Sequence, residues 1–122
     1  MLSTKKLLYK LLSLVSYESG NLTKSSSSIS AVEFANYQKW GRVCIVRVNF
    51  TVSATITNST ETLFTGLPTH VGATRTTLQK VNTANPSVPA RVSVTGNTLQ
   101  NAYTSNGIQT GQYEGEIVYI TA

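Results

Sequence analysis

Few residues in this 122-residue chain could do acid–base or nucleophilic chemistry: it has no Asp, and its five acidic residues are all Glu. Glu114 and Glu116 form the one close carboxylate pair. Two apart on a strand, they share a face with Cα atoms about 6.5–7 Å apart, a separation compatible with glycoside hydrolysis. The same spacing describes an ordinary charged outer face, which is the reading adopted; Tyr113, Ile117 and Tyr119 can line the opposite side, but Val118 and Ile120 continue the side of the two Glu, so the strand's orientation stays open. His70 is the only histidine, set in the loop LPTHVG, and no nucleophile-elbow sequence offers it a serine. One His and one Cys far apart make a poor zinc site, and the lack of Asp disfavours calcium. Cys44, the single cysteine, reads as a small buried hydrophobe. No catalytic residue, metal or cofactor is therefore expected, and the chain is read as non-enzymatic.

Its plentiful functional groups are neutral ones. Ser and Thr make up roughly a quarter of the chain and Asn contributes another nine residues, whereas charged residues are only 12%. Amides and hydroxyls beside an aromatic ring suit sugars, which have apolar CH faces and polar edges. The densest such stretch is NAYTSNGIQTGQY, with Asn101, Tyr103, Asn106, Gln109 and Tyr113 as candidate ligand-binding residues. The turn near Tyr37 and Trp40 is a second candidate. At both places the rings could instead cover the edge of a core. The net charge of +5 is partly local, because Lys5, Lys6 and Lys10 precede the first acid, Glu18. The remaining cations are scattered in sequence, so no nucleic-acid partner is expected.

The elements that must carry these groups are strands. Val43 to Ile56 reads VCIVRVNFTVSATI, and its even positions (Cys44, Val46, Val48, Phe50, Val52, Ala54, Ile56) make one wholly apolar face. Burying those seven side chains at ~1.5–3 kcal/mol each contributes about 10–20 kcal/mol, an upper figure. The odd positions are polar from Arg47 onward, but Val43 and Ile45 are apolar. They await either a neighbouring protomer or a covering loop. Further strands are expected near 29–36, 61–67, 74–81, 90–95, 98–103 and 113–120, with a hairpin at Gly96-Asn97. Seven short strands without intervening helices argue for an antiparallel β-sandwich or jelly-roll-like barrel.

Residues 2–16, LSTKKLLYKLLSLVS, carry the helical period. Leu7, Leu11 and Leu14 fall on one side with Leu8, Leu12 and Val15 beside them, opposite Lys6, Lys10 and Ser13. An isolated helix of this length is marginal, so the stripe needs a partner. A secretory signal is disfavoured because Lys10 splits the apolar run, and a membrane-surface anchor because no Trp or Phe is present; insertion into a membrane is not expected. Packing against sister chains is preferred over docking onto the chain's own sheet. The expected organisation is a helical oligomerising stem at 1–19, a Ser-rich hinge at 20–28 and a β-head at 29–122.

Taken in order, YQKWGRVCIVRVNFTV, LFTGLP, a Pro-containing loop, ARVSV, a Gly-Asn turn into TLQ, and GQYEGEIVYI resemble the distal head domain of tail-fibre and baseplate receptor-binding proteins from phages and prophages of Gram-positive bacteria. The resemblance covers residues ~29–122 as a succession of strands and turns. It implies a short helical stem and a β-sandwich head that form a homotrimer, bind saccharide on the bacterial cell wall and join other tail or baseplate proteins in the virion. It carries over no receptor-contacting residue. Under it, Leu7, Leu8, Leu11, Leu14, Val15, Val43 and Ile45 become the expected trimer contacts. A purely structural fibre tip or surface-layer module, touching only proteins, is the alternative.

Overall fold

The computed structural model describes residues 3–6, 16–81, 89–102 and 107–122. Among these, the strands are β1 (Tyr17–Asn21), β2 (Thr23–Lys24), β3 (Ile29–Trp40), β4 (Val43–Val52), β5 (Thr62–Thr65), β6 (Ala73–Val81), β7 (Ala90–Thr95), β8 (Thr98–Asn101) and β9 (Gly111–Ile120). They form one antiparallel ribbon in the order β1-β3-β4-β9-β6-β7-β8-β5-β2. The ribbon folds over at β6, whose Gln79–Val81 end pairs with β9 while Ala73–Leu78 pairs with β7. β1, β3, β4 and β9 thus make a first sheet, and β7, β8, β5 and β2 a second that faces it. The mainly β, antiparallel sandwich expected from the sequence is the fold that forms. Ahead of it, residues 4–6 make a helical turn in which Lys6 N–H donates to Ser3 Oγ at 3.2 Å, an N-cap. Leu7, Leu8, Leu11, Leu14 and Val15 lie outside the described residues.

β4 is the centre of the first sheet. It is paired along its whole length to β3 on one side and β9 on the other. Cys44, Val46, Val48, Phe50 and Val52 are all buried, as the alternation requires. Leu63, Phe64, Val92, Val94 and Leu99 meet them from the second sheet. Phe50 touches Phe64 edge-on, ring centroids 5.4 Å apart, and lies 6.2 Å from Tyr113 on the neighbouring strand. The strand stops at Val52, short of the expected Ile56, because its partners end there: Val52 pairs with Ile29 and Gly111. Ala54 is consequently exposed, and Ile56 re-enters the core through a two-way backbone bridge with Ile108, both bonds 2.9 Å.

Residues 17–28 depart from the expectation of a helix end followed by a hinge. Tyr17–Asn21 is the edge strand of the first sheet and Thr23–Lys24 the edge strand of the second. Leu22 alone separates them; it steps from one sheet to the other, its N–H bonded to the Ala35 carbonyl and its side chain packed on the core. Edge pairing runs through backbone groups and tolerates polar side chains on both faces, so these residues show no apolar alternation. The serine run is used as well: buried Ser26 donates its hydroxyl to Glu61 and accepts from Ser28 N–H.

The Ile56–Ile108 bridge depends on Gly107. Its φ is +66°, and a Cβ there would fall 1.9 Å from the Ile56 carbonyl oxygen, a backbone atom that cannot swing aside. Gly107→Ala should therefore cost about 3 kcal/mol or more in urea unfolding. Gly96→Ala, also at positive φ but with open space around it, should cost only about 1–2 kcal/mol.

Candidate functional site

The loop favoured by the sequence gives its described residues to the fold. Asn101 is buried and donates from Nδ2 to the carbonyls of Asn58 (2.8 Å) and Ile56 (3.4 Å). Tyr113 is fully buried, with Oη donating to the Gln109 carbonyl at 2.8 Å. Neither offers a ligand-facing group, which corrects the expectation for both, and Gln109 is engaged through that same carbonyl. Tyr103 and Asn106 lie outside the described residues. The misplacement has a simple origin: β9 starts at Gly111, which makes Tyr113 an inward residue of the strand rather than the end of a loop.

Tyr37 and Trp40 are separated by the alternation of β3. Tyr37 points inward beside Val46, is buried, and donates from Oη to Glu18 Oε1 at 2.6 Å. Its ring lies over Gly20, where a Cβ would come within 2.8 Å of it. Tyr37 is therefore held chiefly as a structural residue, though it also contributes to the lining of a neighbouring depression. Trp40 points outward and meets Tyr17 of β1, ring centroids 5.3 Å apart at 48°. Next to this pair, Tyr17, Ser19, Asn21, Asn36, Tyr37, Gln38 and Arg47 line an open depression of about 520 Å³; Trp40 stands beside it against Tyr17 rather than in its lining. Two aromatic rings thus adjoin a wall of amide, hydroxyl and guanidinium groups, the combination that fits the two kinds of surface on a sugar. Sequence reasoning missed Tyr17, Ser19 and Asn21 because it assigned them to a helix and hinge. No local pattern signalled them: the segment lacks apolar alternation and is placed by its backbone pairing with β3.

The same outer face carries an apolar strip. Register places Tyr17, Trp40, Val43 and Ile120 in one row across β1, β3, β4 and β9, and Ile45 beside Val118 in the next. Tyr17 is 55% exposed, Val43 41%, Val118 55% and Ile120 46%. Val43 is thus not covered by a loop among the described residues, whereas Ile45 is half-buried; both adjoin a larger exposed patch. The chain arrives at that end of the sheet, where the Ser16 carbonyl accepts from Gly41 N–H at 2.7 Å. Beyond the strip the face turns polar: Arg47 Nε contacts Glu116 Oε1 at 3.3 Å with its guanidinium over Phe34. Asn49 joins Gln112 to Glu114. Glu114 and Glu116 therefore occupy a charged outer face.

His70 is a turn clamp. Its Nδ1 accepts from Gly72 N–H at 3.2 Å, so Nε2 carries the proton towards Thr74 Oγ1 at 2.7 Å, while its ring packs 5.0 Å from that of Tyr119. Among the described residues no three of His, Cys, Asp and Glu come together, and no helix is long and apolar enough to cross a membrane. Burial pushes the Cys44 thiol above its ordinary range, which leaves it a poor nucleophile.

Tyr37 is pushed up to about 12, first by its hydrogen bond to the Glu18 carboxylate and then by burial. Burial, then the hydrogen bond with Cys44, raises Tyr119 as well. Unfolded tyrosines titrate near pH ~10, so both phenols hold their protons longer in the folded chain. Their contribution is complete below pH ~10 and is lost as pH rises through the folded values. Unfolding free energy should thus fall between about pH 10 and 12. Tyr37→Phe should lower stability by about 1 kcal/mol at neutral pH yet show a shallower alkaline fall. An unchanged alkaline slope in urea titrations would contradict this assignment.

No family model, curated protein or solved structure matches the chain.

Proposed function

We propose that the chain is the receptor-binding head of a phage or prophage tail, associating as a homotrimer and attaching to saccharide on the wall of a Gram-positive host. The observation that carries this reading is the contiguity of the apolar strip with the aromatic–amide depression. Val43, Ile45, Val118 and Ile120 form the part of the face that a sister protomer would cover. Trp40 and Tyr17 then stand at the margin of that contact, where their rings, with Gln38, Asn36 and Asn21, form the saccharide site. The described chain enters the sheet at Ser16, at the same end as the strip. Recognition is non-enzymatic and needs no cofactor: ring stacking on sugar CH faces, with amide and hydroxyl groups reading the edges. In this role the protein works in the virion, attached to other tail or baseplate proteins.

Light scattering should give three times the chain mass. Val118→Glu should yield monomers that melt within a few degrees of the parent, since that side chain is already more than half exposed. Trp40→Ala should weaken binding to isolated Gram-positive walls about tenfold or more without dissociating the trimer. A monomer that binds no wall material would overturn the reading. A stable trimer that binds none of a broad glycan panel would favour the structural fibre-tip alternative.

A further inference from the structure

The outward side chains of β3 form one line. From Phe34 to Trp40 the strand is regular, its bulges lying before Phe34, so Phe34, Asn36, Gln38 and Trp40 leave the sheet on the same face while Ala35 and Tyr37 are buried behind them. The line has an aromatic ring at each end and amides between. Trp40 leans on Tyr17, and the Arg47 guanidinium lies over the Phe34 ring, 5.7 Å from its centroid. Six steps along the strand at ~3.3 Å each put the two ends about 20 Å apart, a span of several linked sugar rings rather than one.

Register sets further polar groups beside this line. Ser19 stands next to Gln38, while Asn21 and Arg47 flank Asn36. Among the described residues, the side chains of Ser19, Asn21, Asn36 and Gln38 have no hydrogen-bond partner. The amides of Asn49, Asn101 and Gln112, by contrast, are spent on the fold. Four polar side chains left open in one depression can exchange water for the hydroxyls of a ligand. Charge narrows the choice of ligand. Arg47 is the one charged residue lining the depression, and Glu116 Oε1 already lies 3.3 Å from its Nε. A polyanion laid along β3 would have to draw Arg47 away from Glu116 and would meet Glu114 on the same face; a neutral chain meets no such opposition.

We propose that the ligand of this site is an uncharged, linear saccharide several rings long, laid along β3. One ring stacks at Trp40, the hydroxyls of the middle rings meet Gln38 and Asn36 with their neighbours on β1, and the far end reaches the Arg47–Phe34 stack. The inference rests on the saccharide reading of the depression and adds to it the ligand's charge, its length and its path across the sheet.

The test uses polysaccharide released from a panel of Gram-positive walls, separated by anion exchange into neutral and anionic fractions, partly hydrolysed and graded by size, with binding to the full chain followed by calorimetry. The neutral fraction should bind, with an affinity that does not fall as salt is raised and that increases with fragment length until the line is filled. Asn21→Ala/Gln38→Ala should weaken that binding about tenfold or more at an unchanged melting temperature, since both side chains are exposed. Phe34→Ala should bring the affinity of long fragments down to that of short ones and leave the short-fragment affinity as in the parent, a difference that a loss of folding would not produce. The proposal is overturned if binding is confined to the anionic fraction or falls with salt, if short and long fragments bind equally, or if the Asn21/Gln38 variant binds like the parent; in each of these the chain still binds wall saccharide. Binding of neither fraction removes the saccharide reading itself, and this inference with it.

Discussion

β4 has an apolar face that must be kept from water and two edges that must be hydrogen-bonded, and the rest of the chain is arranged to meet both demands at once. β3 and β9 complete its edges over its full length. The second sheet covers its face, with Phe64 driven against Phe50. Where the partners end, so does the strand, and Ile56 is brought back only by a backbone bridge that depends on a residue without a side chain.

Satisfying β4 leaves two outer surfaces of unlike character. On the first sheet, register gathers apolar side chains at one end and amides and an ion pair towards the middle. On the second, hydroxyls and arginines are spread over strands without a carboxylate. Neither pattern contributes to the core. Both are set by which side chains of each strand face outward, so the strand register that builds the interior also fixes what the exterior offers.

Alternation made much of the fold legible in the sequence. The apolar face of β4, the Gly96-Asn97 hairpin and the outward position of Glu114 and Glu116 all follow from period two. What was not legible was pairing. Tyr17–Asn21 has no apolar alternation because an edge strand is held by its backbone, and a serine-rich run gives no sign that Ser26 is buried against Glu61. The candidate site suffered for the same reason. Asn101 and Tyr113 have the composition of a binding loop but face inward, whereas Tyr17 and Trp40 are brought together by a strand pairing that no local pattern announces.

The position of β9 also bears on how the molecule reaches this state. It follows every other described strand in sequence yet lies in the interior of the ribbon, between β4 and β6. The β3–β4 and β7–β8 hairpins can close locally, but contacts such as Asn49 to Glu114 span 65 residues. Loop-closure entropy must be overcome before those contacts return anything, so assembly is slow compared with that of a helical protein of equal size. Until β9 inserts, β4 presents an unpaired edge and an apolar face together, which makes the partly folded chain, rather than the finished head, the species most prone to aggregate.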